Sequence, residues 1–144
     1  MKRTAILITS LMALTFVPML SACSAAQDSL WVNDSDLDDA IMSARDGETV
    51  PIEETTDFEW DHVAYFAEGA MRDDISAVVG TEVPLKEERY TGSANLFVFT
   101  KDGEIVALVQ TTPDALVSGS NTMHGNDAVL AIDENGYLGV AAGS

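Results

Sequence analysis

Two histidines, one loop of serines and a field of carboxylates are the groups in this 144-residue chain that could do chemistry. His124 sits in Ser118-Gly119-Ser120-Asn121-Thr122-Met123-His124-Gly125-Asn126-Asp127, where Ser, His and Asp occur together. A hydroxyl activated by a histidine that a carboxylate orients is the chemistry of such a set. Ser120, His124 and Asp127 are therefore the candidate residues of a hydrolase or a metal-dependent enzyme. Against this, no Gly-x-Ser-x-Gly elbow surrounds either serine, and triads are not normally built from one short loop. The same residues also suit a solvated loop of turn formers. His62 alternates with Trp60 and Phe66, which predicts a hydrogen-bonded core histidine rather than a ligand or base. Asp61 cannot orient it on a strand, because neighbours point to opposite faces. Trp60, between Glu59 and Asp61, fits a binding anchor or a core residue, and its alternation with Phe58 and Phe66 favours the core.

Other motifs fail on inspection. Asp34-Ser35-Asp36-Leu37-Asp38 alternates carboxylates like a calcium loop, but Asp39 and Arg45 stand where an EF-hand needs Gly and Glu. An acidic helix start is the simpler reading. Catalytic zinc takes three protein ligands, and no His-Glu-x-x-His pair is present. Neither glycine-rich phosphate motif occurs, so no cofactor is expected. The chain has 24 Asp plus Glu against 7 Lys plus Arg, for a formal charge of -17. That excludes electrostatic binding to nucleic acid, which needs a basic footprint. Twelve acids lie between Asp28 and Asp61, with Arg45 alone in opposition. Such a field keeps a protein soluble, and it attracts cations or a basic partner. A low-affinity cation binder using this acidic half is thus a further expectation.

The N-terminus reads as an address. Lys2 and Arg3 precede an apolar run, Ala5 to Val17, broken only by Thr9, Ser10 and Thr15. Leu20-Ser21-Ala22-Cys23 then matches a bacterial lipobox at all four positions, and Cys23 is the chain's one cysteine. The run is shorter than the roughly 20 residues of a membrane span, and Pro18 ends it. Residues 1–22 are predicted to be a lipoprotein signal peptide, and Cys23 the lipidated new N-terminus. A thioether-linked diacylglycerol places at least two acyl chains in the bilayer, at about 0.8 kcal/mol per buried methylene. The expected location is the outer side of a bacterial membrane, held there through Cys23. Loss of Lys2 and Arg3 leaves five basic side chains against all 24 acids, a charge of -19. The mature chain is long enough for one modest core.

Residues 23–33 read as a lipidated linker and 34–144 as one α+β domain. Leu37, Ala40, Ile41 and Ala44 form a helical stripe behind the capping residues Asp34 to Asp36, with Gly47 as the stop. Phe58 to Phe66 alternates as a strand. Met71, Ile75, Val78 and Val79 predict a second helix that Gly80 ends. Strands at Asn95 to Thr100 and Glu104 to Gln110 flank Asp102-Gly103, a hairpin signal. Ala128 to Ile132 and Tyr137 to Val140 flank a second turn. This order predicts two helices packed on one face of an antiparallel sheet of about five strands.

Asp57-Phe58-Glu59-Trp60-Asp61, the helix ending at Gly80, and Asn95-Leu96-Phe97-Val98-Phe99 before Asp102-Gly103 resemble a pattern in small exported bacterial proteins of unknown function. The resemblance spans about residues 50 to 110 and implies no activity. Gly69, Asp74, Ile75, Gly80 and Pro84 are similar to a motif of the barrel-assembly accessory lipoproteins of outer membranes. Here Thr is missing after Met71, Pro84 comes two residues late, and a long strand precedes the helix, so that similarity bears on architecture alone. The expectation as a whole is a lipid-anchored, non-catalytic module that binds an envelope protein.

Overall fold

A computed structural model describes residues 28–144; Cys23 and the signal segment lie outside the described residues. Helix α1, Ser35–Arg45, begins where the sequence offers a cap. Asp34 Oδ1 accepts the backbone N–H groups of Asp36 and Leu37, each at 3.1 Å. Burial pushes the Asp34 carboxyl pKa up, and those two bonds pull it partly back. Arg45 in the last turn complements the helix dipole. The four buried residues of α1 are Leu37, Ala40, Ile41 and Ala44, the predicted stripe. Helix α2, Arg72–Val79, buries Ile75 and Val79 and stops at Gly80. The chain then folds back on it: Ser76 Oγ accepts Val83 N at 3.0 Å and donates to Arg72 O at 2.8 Å.

The strands are β1 (Trp31–Val32), β2 (Val50–Pro51), β3 (His62–Phe66), β4 (Leu96–Lys101), β5 (Glu104–Gln110), β6 (His124–Gly125), β7 (Val129–Ile132) and β8 (Leu138–Ala141). They form two sheets, ordered β1-β5-β4-β3-β6 and β2-β7-β8. Pairing is antiparallel except for β1, which runs parallel to β5 with Trp31 opposite Leu108. Both edges of the larger sheet are two-residue strands. Pro51, which cannot donate to a ladder, sits on the edge strand of the smaller sheet. At the β4–β5 turn Asp102 and Gly103 have φ of 52° and 80°, the backbone that the Asp-Gly pair predicts.

The α+β class holds, and its layering is richer than one helix-covered face. Val63, Tyr65, Phe97, Phe99, Ala107 and Val109 point to one side of the larger sheet, into a cluster with α1 and the smaller sheet. Ala64, Phe66, Leu96, Val98 and Leu108 point to the other, against α2 and Val83 and Tyr90. The central sheet is covered on both faces, so its strands read as near-continuous apolar runs. Two cores therefore replace the single core that chain length suggests. The stretch read as a linker differs as well. Leu30 O accepts Leu108 N at 2.7 Å and Leu30 packs on the second cluster, so the fold begins before residue 34. No helix among the described residues is long and apolar enough to cross a membrane.

Candidate functional site

The Ser118–Asp127 loop ties the two sheets together. Val117 N and Ser118 N both donate to Leu138 O, and Ser118 O accepts Val140 N at 3.2 Å and Tyr65 Oη at 2.8 Å. The approach is so close that a Cβ on Gly139 would stand 1.9 Å from Ser118 O. Gly119, at φ 81°, meets the Val140 carbonyl with the same lack of room. Burial pushes the Tyr65 phenol pKa up, against a smaller opposing hydrogen bond from Ser120. His124 Nε2 hydrogen-bonds the Gly119 carbonyl at 3.4 Å. Among the described residues no hydrogen bond joins Ser120, His124 and Asp127, and Asp127 is exposed. The residues named for a triad are in one loop but are not brought into one.

His62 is the clearest correction: it is exposed rather than in the core. The apolar cluster on its face ends at Ala64, and His62 is the first residue of β3. His124 pairs directly with Val63, so alternation sends the two imidazoles to opposite faces of the sheet. Among the described residues no group of three or more His, Cys, Asp or Glu could hold a metal ion. Several acids are spent on structure instead. Asp61 Oδ2 accepts Asp102 N at 2.8 Å across the hairpin, and Asp38 Oδ1 accepts Thr112 N at 3.0 Å.

Trp60 is 6% exposed, as a core residue should be. Its ring meets Phe99 edge-on at 5.3 Å, and Phe58 meets the same ring at 5.1 Å. Both sit on the Val63 side rather than with Ala64 and Phe66, because the chain is not yet strand before His62. Trp60 Nε1 donates to Thr56 Oγ1 at 3.0 Å, which satisfies the indole. Above this pair lies a cleft of 490 Å³ edged by Glu53, Asp57, Glu59 and Lys101. Lys101 pairs with Glu59, which holds that carboxyl below and the ammonium above their ordinary ranges. Glu53 and Asp57 have no ion-pair partner among the described residues. Acceptor-only carboxylates beside aromatic faces are what an ammonium or guanidinium group needs.

No family model, curated protein or solved structure matches this chain.

A second cleft, of 540 Å³, was not foreseen. Trp31, Lys86, Arg89, Tyr90, Ser93 and Gln110 line it, with Glu87 among them. Trp31 is 39% exposed. The Pro84–Ser93 wall is held by backbone bonds to the start of α2: Arg72 N to Glu88 O, Tyr90 N to Ala70 O and Gly69 N to Tyr90 O, each 2.8 Å. Tyr90 is 4% exposed, and its buried hydroxyl has no hydrogen-bond partner. Burial raises its pKa to about 12. Lys86 and Arg89 have no ion-pair partner among the described residues, in a chain where acids outnumber bases more than threefold. That scarcity is the one sequence signal that could have marked them. Trp31 comes to them from more than fifty positions away, which no local pattern encodes.

Proposed function

We propose that the chain is a lipid-anchored lipoprotein of the bacterial cell envelope whose domain is a non-catalytic binding module for a basic partner. The lipobox ending at Cys23 supports the anchor. The observation that bears most on binding is the Trp60 cleft, where unpaired Glu53 and Asp57 stand beside Phe58 and the buried indole. The acidic field around it steers a positively charged surface toward that cleft. The use of Ser118 and Tyr65 to bind the two sheets together favours a structural over a catalytic role for the His124 loop. A photo-crosslinking residue placed at Glu53 or Asp57 in cells tests the reading. It should capture one defined basic protein, and the same residue at Glu134 on the β7–β8 turn should not. Equal labelling at all three positions would remove the cleft from consideration. Cys23→Ala should move the protein to the soluble exported fraction and abolish the capture; continued membrane attachment would refute the anchor.

A further inference from the structure

We infer that the Trp31 cleft is a binding site for an uncharged oligosaccharide, with the Trp31 ring as its platform and the Tyr90 hydroxyl as a hydrogen-bonding group that binding brings into use. Neither the Trp60 cleft nor the lipid anchor bears on this assignment. Trp31 lies opposite Leu108 on the edge strand of the larger sheet and is 39% exposed. It borders two clefts at once, one of 540 Å³ along Pro84 to Ser93 and one of 400 Å³ along Asn33, Thr111 and Thr112. Both volumes suit a small ligand. Ser93 and Gln110 line both clefts as well. Gln110 Nε2 donates to Ser93 Oγ at 3.4 Å, which leaves the amide oxygen without a hydrogen bond among the described residues.

The charges around these clefts select neither sign. Glu87 on the same wall and Glu88 beside it offset Lys86 and Arg89, and Asp38 is bonded to Thr112 in the second cleft. The groups left to recognise a ligand are neutral: the amides of Asn33 and Gln110 and the hydroxyls of Ser93 and Thr112. An amide sets donor and acceptor side by side, and a hydroxyl is both. Neighbouring hydroxyls on a sugar ring answer that pair in reverse, and the ring's C–H side lies flat on an indole face. With the tryptophan at the junction of two clefts, two or more linked rings can lie across it. Tyr90 marks this as more than a polar surface. It is 4% exposed, and its hydroxyl is the one buried side-chain polar atom without a hydrogen-bond partner among the described residues. That hydroxyl packs where a Gly92 side chain would stand, and Gly92 and Tyr90 both line the larger cleft. A fold rarely leaves such a group unsatisfied, and stability given up in this way is characteristic of a site. A small shift of residues 91–93 brings a ligand hydroxyl to it as the missing partner.

The full-length protein, purified in a detergent without a sugar headgroup, would be titrated with cellotriose, maltotriose and chitotriose by calorimetry and tryptophan emission. At least one should bind saturably and change the emission, with the Trp31→Phe variant assigning that change to Trp31. The affinity should be the same at low and high salt, since no charge is recognised. Trp31→Ala and Gln110→Ala should each weaken binding about tenfold while melting at the parent's temperature. Tyr90→Phe should weaken it about fivefold although the variant is the more stable protein, a split that a purely structural tyrosine would not give. Cosedimentation with insoluble cellulose or chitin identifies the ligand as a polymer, and binding of the soluble sugars alone identifies it as a free oligosaccharide. No binding of any of the three sugars overturns the assignment. Binding that falls steeply with salt overturns it in favour of a charged ligand. A Tyr90→Phe variant that binds as the parent does overturns it too, because the unsatisfied hydroxyl then has no part in recognition.

Discussion

The two tryptophans lie on opposite faces of the larger sheet, Trp31 on the side of Leu108 and Trp60 on the side of Phe99, and their surroundings are nearly inverses. Trp60 is buried, its N–H satisfied by Thr56, and carboxylates rim the cleft above it. Trp31 is exposed on a two-residue edge strand, beside two unpaired cations and over a phenol whose hydroxyl has no partner. On the first face the aromatic residue is structural, and Glu53 and Asp57 beside it are free to bind. On the second the aromatic residue is itself exposed, and the segment behind it is secured by backbone bonds to the start of α2. A tryptophan beside charge thus has no fixed meaning; which of the two is already satisfied by the fold decides which can recognise something else.

The sharpest test of this contrast is truncation of each ring. Trp60→Ala should cost about 3 to 5 kcal/mol, since it opens a hole against Phe99 in the larger core. Urea unfolding measures it, and a loss below about 1 kcal/mol would mean the ring is not packed as described. Trp31→Ala should stay within about 0.5 kcal/mol by the same measurement. Tyr90→Phe should stabilise the protein by about 1 kcal/mol, because it removes a buried hydroxyl that bonds to nothing. Its pH behaviour follows from the raised pKa. The folded phenol keeps its proton up to about 12, whereas the unfolded one releases it near 10. Stability from this group is complete below pH 10 and declines as pH rises from 10 toward 12. Unfolding curves at pH 9 and pH 11 should show that decline in the parent and a smaller one in Tyr90→Phe.

The cap of α1 offers a finer test. Asp34→Ala should cost about 1 kcal/mol by removing the acceptor for Asp36 and Leu37. Asp34→Asn should preserve stability, as it keeps the acceptor and removes a carboxylate that burial disfavours. The smallest effect is expected for Glu59→Gln, whose ion pair with Lys101 is exposed and screened by salt. Thermal melts at low and high salt should scarcely separate it from the parent. The pair matters more to recognition, because breaking it frees a cation inside the acidic cleft.

How far the sequence could be read depended on the range of the forces involved. The α1 stripe, its Asp34 cap, the Gly80 stop and the Asp102-Gly103 turn are local, and each was legible from spacing alone. The Phe58–Phe66 alternation misled because the chain turns before His62. Phe58 and Trp60 then share a side with Val63 and Tyr65 rather than with Ala64. The apolar run Val63 to Phe66 was the better sign, since a strand covered on both faces need not alternate. β1 is two residues long and pairs with β5 far downstream, so nothing near it announces a strand. The division into two sheets, and the Trp31 cleft with it, depends on contacts between distant segments that periodicity cannot see.

That pairing also orders events in time. Trp31 cannot meet Leu108 until 77 further residues have been made, whereas β4 and β5 can form a hairpin as soon as both are present. The first strand of the larger sheet therefore remains unpaired while most of the chain is being made. Until then its edge of β5 is open, and the parallel pairing of β1 closes the longest loop within the larger sheet.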